Sequence, residues 1–120
     1  MKIPQDGYLL RVFIGEADQW HGKPLYEAIV LKARELHLAG ATVLRGPMGF
    51  GANSRLHTTK ILRLSEDLPM VIEIVDGKEK IDQLMPHIDE MVHEGLVTLE
   101  RVQVVKYRAN ADASTPASPE

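Results

Sequence analysis

Between Tyr8 and Ile14 the chain is apolar at every position except Arg11, and Gly15 closes the run, a pattern that predicts a buried central strand. From Pro24 to Ala39 the period changes. Leu25, Ala28, Ile29, Ala33 and Leu36 share one helical face with Glu27 and Arg34 opposite, Pro24 suits the first turn, and Gly40 suits the stop. Val30, Leu31 and Leu38 lie outside this stripe, so the helix carries more apolar surface than one core contact needs. A second strand is predicted over Ala41–Arg45. It runs into Gly46-Pro47-Met48-Gly49-Phe50-Gly51, where three glycines and a proline forbid ordinary helix, and then into a polar stretch, Ala52 to Thr59. Lys60 to Leu64 alternates like a half-exposed strand arm, and Met70 to Val75 reads as a buried strand. Asp76 and Glu79 stand at capping-box spacing before the stripe Ile81, Leu84, Met85, Ile88, Met91 and Val92, which predicts a helix ending at Gly95 and kinked at Pro86. The last strand is expected from Leu96 to Tyr107.

The order is βαββαβ. With right-handed crossovers it gives an α+β, ferredoxin-like sandwich: a four-stranded antiparallel sheet with both helices on one face. One domain, residues 1–108, and a disordered tail, 109–120, rich in Ala, Ser and Pro, are expected. The uncovered sheet face would present Leu9 and Phe13 beside Arg11, and Val71 and Val75 beside Glu73. Such a face points to self-association, with Arg11 and Glu73 paired across it.

Composition narrows the partners. At 120 residues, 44% hydrophobic and 26% charged, the chain fits one globular core, and a net charge of -3 offers no basic field for a phosphate backbone, so nucleic acid is not an expected partner. The absence of cysteine removes disulfides, thiolate metal sites and thiol nucleophiles. No signal-peptide pattern or membrane-length apolar run is present, and a cytoplasmic location is the expectation.

Candidate chemistry concentrates at the glycine-rich turn. Successive backbone N–H groups without side chains in the way can form a concavity for a phosphate or carboxylate, with Arg45, Arg55 and Lys60 as nearby cations and Phe50 either walling an adenine or covering the core. The same glycines could equally just turn a ribbon. The spacing is neither a Walker A loop nor a dinucleotide-binding fingerprint. Acylphosphatase shares the topology but carries its anion loop after the first strand, and RNA-recognition motifs need stacking aromatics on the third. No nucleophile with an adjacent base is legible, so no catalytic residue and no enzyme activity are predicted.

The segments Gly40-Ala41-Thr42-Val43, Gly49-Phe50-Gly51, Leu68-Pro69 and Ile72-Glu73-Ile74-Val75 resemble, in order and on the same elements, those of PII nitrogen-signalling proteins. From Tyr8 to Tyr107, including His21-Gly22-Lys23-Pro24-Leu25-Tyr26, the chain is similar to an uncharacterised PII-like family, domain of unknown function 190. The resemblance implies a homotrimer that binds an adenine nucleotide (AMP, ADP or ATP) between subunits. Its loop after the second strand would signal to a partner protein, for which a membrane transporter or channel is the candidate. By resemblance Gly49, Phe50 and Gly51 match the loop base that lies against the nucleotide; with Arg45, Gly46 and Arg55 of the glycine turn, Asn53, and Arg101 as replacement charge on the last strand, they form the expected ligand-binding set, with no resident cofactor and no metal ligand. Asn53 stands where PII proteins have a glutamine that helps hold metal and 2-oxoglutarate. The lysine-bearing phosphate loop before the last strand has no counterpart in Glu94-Gly95-Leu96-Val97-Thr98. The alternative expectation, motivated by five histidines and many carboxylates, is a trimeric protein that binds divalent metals.

Overall fold

The computed structural model describes residues 6–49 and 67–108, together with the backbone of 57–58. Phe50, Gly51, Asn53, Arg55, the expected arm Lys60 to Leu64 and the tail 109–120 lie outside the described residues. The main sheet is made of β1 (Asp6–Gly15), β4 (Thr42–Arg45), β7 (Pro69–Asp76) and β8 (Leu96–Gln103), in the order β4-β7-β1-β8, with every pairing antiparallel. Two helices, α1 (Leu25–Glu35) and α2 (Lys78–Met91), complete the ferredoxin-like α+β sandwich. Leu10, Val12 and Ile14 of β1 and Met70, Ile72 and Ile74 of β7 meet Ile29, Ala33, Ile81, Leu84 and Ile88 of the helices in one core. Alternate residues of β1 and β7 are buried on the helix side, and Leu9, Phe13, Val71 and Val75 on the other face are half-buried, so these strands read as nearly continuous apolar runs.

Four short strands were not legible. β2 (Gln19–Trp20) and β3 (Lys23–Pro24) form a hairpin joined by His21 and Gly22, both at positive φ, 51° and 84°, as a two-residue hairpin turn favours. β5 (Met48–Gly49) lies within the glycine-rich turn and pairs with β6 (His57–Thr58).

The helix ends differ from expectation for identifiable reasons. α1 stops at Glu35 rather than running to Ala39, because His37, at φ 65°, takes the left-handed position expected of Gly40. His37 N–H donates to the Arg34 carbonyl and Leu38 N–H to the Ala33 carbonyl, each at 3.0 Å, which turns Leu38 inward to 7% exposure. At α2 the cap is Gly77, with no side-chain capping bond. Asp76 is instead a buried carboxylate that accepts from Gly77 N–H at 2.7 Å and Ala39 N–H at 2.8 Å, tying β7 to the loop after α1. α2 continues through Pro86 to Met91, short of Gly95; Pro86 sits on the exposed side, where water can serve the carbonyl that loses its donor. β8 ends at Gln103, before the expected Tyr107, and Tyr107 hydroxyl reaches the Ala39 carbonyl at 3.3 Å.

The face away from the helices is ordered in rows by the strand register. Leu44, Val71, Phe13 and Leu96 stand side by side across all four strands, and the next row is Thr42, Glu73, Arg11 and Thr98. Leu44 and Leu96 are about half exposed.

Candidate functional site

β4 delivers Arg45 and Gly46 to the end of the sheet where β7 begins. Gly46 N–H donates to the Pro69 carbonyl at 2.8 Å, so the outgoing and returning limbs of the excursion after β4 touch. A Cβ on Gly46 would meet Pro69 Cγ at 2.9 Å, and one on Gly49 would meet it at 3.0 Å. Both glycines are therefore required by close approach to the proline ring, besides any freedom they lend the turn. Gly49 pairs through its backbone with His57.

Arg45 is engaged. Its guanidinium meets the Glu16 carboxylate at 2.6 Å, with the arginine side chain 57% exposed and the glutamate 22%. Arg45 lies opposite Met70 on β7, and Met70 is opposite Ile14 on β1, two residues before Glu16. The ion pair thus spans β7, joining strands that are not neighbours.

Sequence reasoning missed this carboxylate-rich support. Glu16 N–H donates to the Leu68 carbonyl and Ala17 N–H to the Asp67 carboxylate, both at 2.8 Å, while Asp18 accepts from Gly15 N–H at 3.0 Å. A Cβ on Gly15 would fall on the Asp67 carboxylate, which would have to move aside and give up its place against the turn. Burial lifts the Asp18 carboxyl above the usual aspartate range; the Gly15 hydrogen bond opposes this, and the charges of Asp67 and Glu94 add to it. Asp67 fastens the returning limb to the turn after β1. The available signal was the recurrence of acidic residues at Glu16, Asp18 and Asp67, which only the fold brings together.

Arg101 stands apart from this stem. On β8 it is opposite Tyr8, which is itself opposite Asp76, whereas the stem sits at the Gly15 and Pro69 end. Along β1, from Tyr8 to Gly15, the separation is roughly 24 Å at ~3.4 Å per residue. Within one subunit the described members Arg45, Gly46 and Gly49 come together, and Arg101 does not join them.

The described surface also carries two hollows that are not lined by Arg45, Gly46 or Gly49. One, of about 250 Å³, is lined by Val30, Ala33, Arg34 and Leu38 to Ala41 at the end of α1. The other, of about 200 Å³, lies between Asp18, Leu25, Met91 and His93, near Trp20, whose ring stacks on His21 at 4.2 Å. Among the described residues no three His, Asp or Glu side chains are grouped to hold a metal ion, and no helix is long and apolar enough to cross a membrane.

The sequence profile of the DUF190 family, described as an uncharacterized ACR family, matches residues 7–104. The chain belongs to the DUF190 family. Among its relatives is a UPF0166 protein of Aquifex aeolicus, 40% identical over 97 residues that make up 81% of this chain and 91% of that protein. The fold is PII-like. It is similar to CPII, a nitrogen regulatory PII-like protein from Thiomonas intermedia K12 solved with ADP, AMP and bicarbonate. The TM-score is 0.60 at 14% identity, over 86% of this chain and 97% of that one. It is also similar to the Bacillus subtilis GlnK–ATP complex, with a TM-score of 0.55 at 12% identity, over 84% of this chain and 85% of that one. At these identities the likeness to the two structures concerns the fold.

Proposed function

We propose that this DUF190 protein is a cytoplasmic PII-like regulator. As a homotrimer it binds an adenine nucleotide in clefts between subunits and passes the bound state to a partner protein through the excursion that follows β4. The observation that carries this reading is the stem. Gly46 is bonded to Pro69 and Gly49 is packed on the same ring, so a ligand seated there bears on both limbs of the excursion at once. The nucleotides in the CPII and GlnK structures give the ligand class. Arg101, at the far end of its own sheet, supports a cleft completed by a neighbouring subunit, and the apolar row on the open sheet face supports assembly. The reading requires no bond-making step. Ligand binding acts by favouring one arrangement of the excursion over others.

The test is calorimetry with AMP, ADP, ATP and cyclic AMP. At least one should bind with a micromolar Kd, and Gly49→Val should abolish that binding while the far-ultraviolet circular dichroism stays unchanged. Arg101→Ala should weaken binding in the assembled protein. Silence from all four nucleotides would remove the proposed ligand.

A further inference from the structure

The ion pair at the stem has a consequence for how an anion could enter. Arg45 is the described cation on the outgoing limb, and its guanidinium is already held by Glu16 at 2.6 Å. The two partners differ in how firmly they are placed. Glu16 is the more buried, its own N–H is fixed to the Leu68 carbonyl, and the next residue is fixed to Asp67, so the carboxylate is presented by a turn bonded on two sides. Arg45 reaches across β7 on a long, largely exposed side chain, which makes it the partner able to swing away.

We infer that Glu16 is a built-in competitor for the anion site, engaging Arg45 through one Nη2 contact in the empty protein so that a phosphate-bearing ligand must compete with the carboxylate for the guanidinium. This rests on the reading of Arg45 as a ligand-binding residue. The geometry adds a relay. Among the described residues Glu16 is ion-paired with Arg45 alone; Asp18 lies on the same turn, and Asp67 of the returning limb places its carboxylate against that turn. Once Arg45 is taken by a ligand, Glu16 is left beside like charges, and the turn it sits on is bonded to residues 67 and 68 of the returning limb. The exchange at Arg45 on the outgoing limb thereby loads the returning limb, with β7 as the bar between them. The competitor also sets a threshold: a ligand must offer more to Arg45 than one carboxylate does, which favours a di- or triphosphate over a monoanion.

Glu16→Gln, Arg45→Gln and the double variant, each compared with the wild type by calorimetry, test this with ADP and with inorganic pyrophosphate at low salt and at high salt. An exposed ion pair contributes little to folding, so all four proteins should fold. Glu16→Gln should bind both probes about two- to five-fold more tightly than the wild type, the range an exposed pair can withhold, and the gain should shrink at high salt. Arg45→Gln should weaken binding, and in its background Glu16→Gln should have no further effect. That loss of effect separates competition for Arg45 from a general change in surface charge. Unchanged or weaker binding by Glu16→Gln, or a gain that persists without Arg45, overturns the inference. If ADP binds to none of the proteins while pyrophosphate binds Glu16→Gln more tightly than the wild type, the nucleotide reading fails and the competitor stands. If neither probe binds any of the four, both fail.

Discussion

Arg11 on β1 and Glu73 on β7 are direct cross-strand partners, and Arg11 Nε meets the Glu73 carboxylate at 2.9 Å on the sheet face that no helix covers. Glu100 on β8 approaches the same guanidinium at 3.3 Å. The Glu73 hydrogen bond is the main influence holding the guanidinium's pKa above its ordinary value. The Arg11 charge is thus paired within the chain, and the neighbouring row of Leu44, Val71, Phe13 and Leu96 is the apolar part of the same face. Phe13→Glu should convert an assembled species to monomer in analytical ultracentrifugation, whereas Leu31→Glu, on the exposed side of α1, should leave the mass unchanged. An unaltered mass for Phe13→Glu would exclude this face as the interface.

The two stem glycines give a second prediction. Gly46→Ala or Gly49→Ala forces a methyl onto the Pro69 ring and should cost about 1–2 kcal/mol, seen as a melting temperature lower by several degrees. Combining either with Pro69→Ala opens the space and should recover part of the loss, so the double variant is more stable than the sum of its parts implies. Simple additivity would show that the ring is not the obstacle.

Asp76 gives a third. Its two oxygens each accept one backbone N–H in a buried place, so Asp76→Ala orphans two donors and should cost about 2–3 kcal/mol in urea unfolding. Asp76→Asn keeps one acceptor oxygen and should fall between Ala and wild type. A surface-like cost below ~0.5 kcal/mol for Asp76→Ala would contradict the burial argument.

Asp18 predicts a pH dependence. Its folded-state pKa lies above the unfolded value of roughly 4, so the folded protein holds the proton more tightly and stability drains away as pH rises through that interval. Asp18→Asn retains an acceptor for Gly15 N–H and removes the charge. The variant should therefore melt slightly above wild type at pH 7, with the advantage vanishing near pH 3. The effect should be small for a part-exposed side chain, and a variant less stable than wild type at pH 7 would reverse the sign.

What the sequence revealed followed from how local each cause was. β1 and β7 were legible because a strand flanked by partners and packed beneath helices needs apolar residues almost throughout, and α2 because its stripe repeats for four turns. The end of α1 was hidden by an exchange of roles: Gly40 was available for the left-handed position, but His37 took it, since that choice brings Leu38 into the core. Asp76 and Glu79 had capping-box spacing, yet the carboxylate went to Ala39, 37 residues away, a partner that no spacing rule can see. The site divided in the same way. Arg45, Gly46 and Gly49 stand together in the chain and could be picked out as a turn. Glu16 and Asp67 reach them only through strand order, because β1 and β7 must first be set side by side.

The hydrogen bond from Gly46 to Pro69 means that the chain leaves the sheet and re-enters it at a single point. An insertion whose ends already meet is nearly indifferent to its own length, since each doubling adds only about 0.6 kcal/mol of closure entropy. The four-strand register does not have to be renegotiated when that stretch is lengthened, shortened or rewritten. Lineages sharing this sheet could therefore trade the inserted stretch as a cassette, so that new recognition evolves on a framework whose own folding is left alone.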